Sequence, residues 1–162
     1  MLTRTVMVFL LLTTGCASGA VVHWTKYTND RFGFSMTIPA ALIPSREPDN
    51  GDGREFHSVD REFSVTAYSH FFVLDDESLD TFWRDEIGEF AATAHYKRKT
   101  RHWFVISGVK DGREYYHKCY SRGDQWVTLQ VSYPPEKAGN YDPWVTRIEK
   151  EFLPFSPGRA GN

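Results

Sequence analysis

The chain has 162 residues, 41% of them hydrophobic and 15% aromatic, with a formal net charge of −2. That length suits one domain behind a short leader, and the apolar content excludes wholesale disorder. The charge excludes a basic nucleic-acid surface, and the two cysteines, Cys16 and Cys119, leave one thiol in the folded part, which excludes an internal disulfide or a cysteine metal site.

Residues 1–20 carry one positive charge, Arg4, then an apolar run Val6–Leu12, then small residues. This is the layout of a secretory signal peptide, and the run is too short to span a bilayer. Thr13-Thr14-Gly15-Cys16 resembles a bacterial lipobox, with Thr13 where Leu is usual. The resemblance implies lipidation of Cys16, which would become the mature N-terminus and hold the protein at the membrane. The competing reading is cleavage after Ala20, at Ser18-Gly19-Ala20. Lipidation, with Ala17 next in line, fits the periplasmic side of the outer membrane; plain cleavage fits the periplasm or secretion. Losing Arg4 with the leader takes the net charge to −3.

Val21–Thr28 is the first expected strand, and Asn29-Asp30-Arg31 turns it. From Phe32 to Ile38, apolar and small polar residues alternate, which predicts a half-buried strand ended by Pro39. Residues 40–53, with Asn50-Gly51-Asp52-Gly53, form a long loop that either carries function or only crosses the sheet edge. Arg54–Val59 and Glu62–Phe72 make a second hairpin around Asp60-Arg61. Leu79, Phe82, Trp83, Ile87 and Phe90 fall on one helical stripe, with Glu86 at the same spacing, so a helix is expected over 77–90. Asp75, Asp76 and Glu77 suit its N-terminus. His95–Thr100, its charges extending to Arg101, is a basic strand or strand entry of the kind that guards a sheet edge.

Three strands follow over 102–133, turned at Asp111-Gly112 and at Arg122-Gly123-Asp124, where left-handed backbone is needed. Val127, Leu129, Val131 and Tyr133 point one way and Thr128, Gln130 and Ser132 the other. Asp142-Pro143 reads as the N-cap and first position of a helix over 143–152. Trp144, Val145, Ile148 and Phe152 form its buried stripe, and 156–162 is a frayed polar tail. The whole predicts a single α+β domain over 21–155: an antiparallel sheet of about six to eight strands covered by two amphipathic helices.

Tyr27–Pro39, Asn50–Phe56, Trp103–Gly108, Gly112–Tyr116 and the Trp144–Phe152 helix resemble a group of small exported bacterial proteins, lipoproteins among them. The order of elements is similar to the PsbP-like fold. That fold serves photosystem extrinsic proteins, a nuclear-transport cofactor, periplasmic lipoproteins and effector chaperones of type VI secretion. The resemblance implies a sandwich fold and no catalytic motif, since a fold does not fix a function.

Chemistry along the chain is sparse. Six histidines are scattered without a metal-ligand spacing, though His102 and His117 could be neighbours across the Asp111-Gly112 turn. Cys119 reads as a buried packing residue, with His117 two positions away as the partner a thiol enzyme would need. Asp49–Gly53 lacks the ligand pattern of a calcium loop. Neither a cofactor nor a metal is expected. A partner surface is expected on outward aromatics, Trp126, Tyr116 and Tyr120, or on the loop residues Asn50, Asp52 and Arg54. The expectation is a non-enzymatic envelope binding or accessory module with an unknown protein partner. The alternatives are a toxin-neutralising or effector-chaperone protein and a Cys119-dependent hydrolase.

Overall fold

The structure, a computed structural model, describes residues 21–74 and 76–155. The leader with Cys16, and the 156–162 tail, lie outside the described residues. Trp24–Asn29 (β1) and Phe34–Pro39 (β2) pair as an antiparallel ribbon. Between them Asn29 Oδ1 accepts from the Phe32 N–H at 2.9 Å, and Gly33 takes a φ of +71°. Seven strands form the main sheet: Ile43–Pro44 (β3), Gly53–His57 (β4), Ser64–Phe71 (β5), Ala94–Lys99 (β6), Trp103–Lys110 (β7), Arg113–Arg122 (β8) and Gln125–Tyr133 (β9). Their order is β3-β4-β5-β9-β8-β7-β6, with every neighbouring pair antiparallel. The meander thus supplies the centre, and the basic strand β6 lies at an edge as expected.

The first strand starts at Trp24 rather than Val21, and the β1–β2 ribbon stays apart from the main sheet. β2 is buried along almost its whole length. Phe34, Met36 and Ile38 meet Val65, Ala67, Val127, Leu129 and Val131 of the sheet, and Ile148 and Phe152 complete the same core. The ribbon and the second helix together therefore cover most of one sheet face.

That second helix, Ala138–Glu151 (α2), begins five residues before the expected start and contains Pro143. A 3-10 turn, Pro135–Lys137, leads into it, so Pro135 is the proline that opens the helical run. Asp142 is no cap; its carboxylate accepts from the Tyr133 hydroxyl at 2.7 Å. The exposed Gly139 lies four residues before Pro143, so the carbonyl that loses its partner faces water.

The first helix, Leu79–Phe90 (α1), is held by a capping box: Ser78 Oγ accepts from Thr81 N–H at 3.2 Å and Thr81 Oγ1 from Ser78 N–H at 2.8 Å. It starts at 79, not 77, because Glu77 turns back to accept from the N–H groups of Val73 and Leu74. α1 packs on the other sheet face, over β7 and β8. Leu79 meets Phe104 and Cys119, and Phe90 meets Ile106 and Tyr115.

A cleft between the first helix and the open half of the sheet as candidate functional site

α1 covers only half of its sheet face. Beyond it, β9 and β5 present Trp126, Thr128 and Gln130 opposite His70, Tyr68 and Thr66. β8 adds His117 opposite Gln130 and Cys119 opposite Thr128. Strand alternation puts all of these on one face, the polar side of the strands whose other side fills the core. Where α1 overhangs, a cavity of about 220 Å3 opens, lined by Tyr68, Phe82, Glu86, His117, Cys119, Trp126 and Thr128, with Asp85 and Glu89 on the helix.

The cleft combines aromatic walls with a few polar groups. Phe82 lies 4.5 Å and Tyr68 5.6 Å from Trp126, both near right angles to it. His70 stacks on Trp126 at 5.1 Å and its Nε2 lies 3.0 Å from Asp52 Oδ2. His117 Nδ1 is 3.2 Å from Glu86 Oε2. Gln130 donates to the Tyr68 hydroxyl at 3.3 Å. Burial pushes the Cys119 thiol up to about 12, and Tyr68 likewise to about 12. Both are therefore neutral at neutral pH. A nucleophilic cysteine needs the opposite shift, and at neutral pH this thiol stands protonated in the cavity wall.

Of the expected partner residues, the structure gathers Trp126, Asp52 and Asn50. Asn50 donates to Asp52 at 2.8 Å, and Asp52 reaches the Trp126 wall through His70. The loop can sit this close because residue 53 is glycine: a Cβ there would lie 2.2 Å from the Ala67 carbonyl. The loop also crosses the sheet edge, through β3. Arg54 instead braces the loop, donating to the Ser45 carbonyl at 3.0 Å and lying over Phe56. Tyr116 and Tyr120 must be corrected. They oppose Val131 and Val127, share the core face, and are half-buried against it, with Tyr120 5.7 Å from Phe152. They therefore form no patch with Trp126. His102 opposes Ser121 rather than His117, whose neighbour across the turn is Ile106.

Sequence reasoning missed Tyr68, His70, Phe82 and Glu86 as a group. Glu86 did leave a signal: it interrupts the apolar stripe midway between Phe82 and Phe90. In the structure that carboxylate meets His117 in the cleft rather than the apolar core.

The element order and layering match solved structures across nearly the full chain. Cyanobacterial PsbP (CyanoP) from Synechocystis sp. PCC 6803 superposes with a TM-score of 0.61 at 11% identity, covering 88% of this chain and 99% of that one. The fold is PsbP-like. The Saccharomyces cerevisiae Ran-binding protein Mog1p shares this PsbP-like arrangement, with a TM-score of 0.54 at 11% identity over 84% of this chain and 97% of its own. No protein-family model and no curated protein matches the sequence.

Proposed function

We propose that this protein is a non-enzymatic binding module exported to the bacterial envelope, and that the α1 cleft is its binding face. The observation that carries the reading is the unequal covering of the sheet. One face is largely covered by the ribbon and α2, with an open groove left beside α2 at Tyr116, Tyr133 and Glu149, while the other exposes an aromatic-walled cavity beside α1. Clefts of this kind, apolar with a few convergent polar groups, suit holding a ligand or a partner's side chain. The protonated thiol inside this cleft suits holding more than reacting. Export rests on the leader, and lipidation of Cys16 would tether the domain to the outer membrane.

The test is crosslinking in intact cells of the native host, comparing wild type with Trp126→Ala and Tyr96→Ala. Tyr96 is exposed on the edge strand β6, away from the cleft. The reading predicts a discrete adduct kept by Tyr96→Ala and lost by Trp126→Ala. Equal adducts in both variants would place binding elsewhere. Turnover of a small molecule by the purified protein would remove the non-enzymatic reading. For the tether, Cys16→Ala should abolish partitioning into the detergent phase.

A further inference from the structure

We propose that the α1 cleft takes an alkylammonium group, which rests on the reading of the cleft as the binding face. The cavity, about 220 Å3, suits a head group of side-chain size. Trp126 forms one wall, and Phe82 and Tyr68 stand at 84° and 80° to it. These are edge-to-face contacts, and His70 stacks on Trp126 as well; the ring surface the three residues turn to the cavity draws a cation through the ring quadrupole.

The charges facing the gap have the matching sign. Asp85, Glu86 and Glu89 line it from one turn of α1. Lys118 also borders it, but its ammonium is bound by Glu149, a residue of α2 on the opposite face of the sheet. Glu89 is paired with Lys110 at 2.8 Å and Glu86 with His117 at 3.2 Å, while Asp85 has no ion-pair partner among the described residues. An anionic ligand would meet three carboxylates. A neutral apolar one would leave Asp85, the carboxylate with no cation beside it, uncompensated. A cation satisfies both the carboxylates and the rings.

The experiment titrates the full chain in its Cys16→Ala form with three probes, following the indole N–H signal of Trp126 by NMR. The probes are choline, its neutral isostere 3,3-dimethylbutan-1-ol, and Nα-acetyl-lysine methylamide. The signal is assigned by its loss in Trp126→Phe. A saturable shift with choline or the lysine derivative, at least about tenfold tighter than with the neutral alcohol, supports the proposal. Choline alone would mark a quaternary ammonium ligand, and the lysine derivative alone a protein side chain. Asp85→Asn, on an exposed helix position that leaves the fold intact, should weaken the favoured cation about two- to fivefold. Equal binding of alcohol and cation would overturn the cation assignment while leaving the cleft as a binding face. No saturable shift with either cation would also overturn it, and the cellular crosslinks then decide separately whether the cleft binds a partner of other chemistry.

Discussion

The Cys119 thiol is 2% exposed, packed with Leu79 and Phe104, and burial decides its chemistry. In the unfolded chain it ionises near its ordinary 9.0, while in the native protein it keeps its proton to about 12. Between those values the native state holds more protons than the unfolded state, so stability falls as pH rises through the window. The slope from one such group approaches about 1.4 kcal/mol per pH unit. Tyr68, raised from 10.0 to about 12, adds to the loss above pH 10. Urea midpoints should therefore drop from pH 9 upward, and Cys119→Ala should delay the drop until the tyrosines titrate. Equal alkaline profiles for the two proteins would contradict this. Burial of Cys119 was legible from its place between Tyr116 and Tyr120 in a central strand, where a lone thiol acts as a small apolar residue. The cage around Trp126 was not, because Tyr68, Phe82 and Trp126 come from three separate elements. Which strand pairs with which decides their meeting, and a single sequence does not state it.

Among the elements, hairpin registers were legible and helix starts less so. A two-residue turn at Gly123-Asp124 pairs Arg122 with Gln125, and from there Tyr120 with Val127 by counting. The core-facing position of Tyr116 and Tyr120 was thus contained in the turn. α2 misled because Asp142-Pro143 has the form of a helix start, while the run in fact enters through Pro135. A proline six residues into a helix still lacks an N–H for the carbonyl four residues back. Pro143→Ala should restore that bond and stabilise the protein by about 1–2 kcal/mol, part of the helix-interior proline penalty being offset by a freer unfolded chain. Chemical denaturation measures it, and a destabilised variant would mean that α2 does not run through residue 143.

At the scale of the whole molecule, the same alternation built two different layers. Phe34, Met36 and Ile38 read as one face of a strand, and they are; the pattern is the same for a strand in the main sheet and for a ribbon laid over it. Separation of the ribbon depends on the opposite face of β2 also being buried, with Ser35 paired to Leu153 beyond α2. That extra layer is what leaves α1 alone on the other side, too narrow to cover β9 and β5. On this half-covered face, we propose, the protein meets its partner. A photo-crosslinking residue tested in the native envelope measures this most directly, placed in turn at Asp85 and Thr66 on the cleft side and at Lys26 and Lys150 on the ribbon and α2 side. Discrete adducts are expected from Asp85 and Thr66 and none from Lys26 or Lys150. Adducts confined to Lys26 and Lys150 would contradict it.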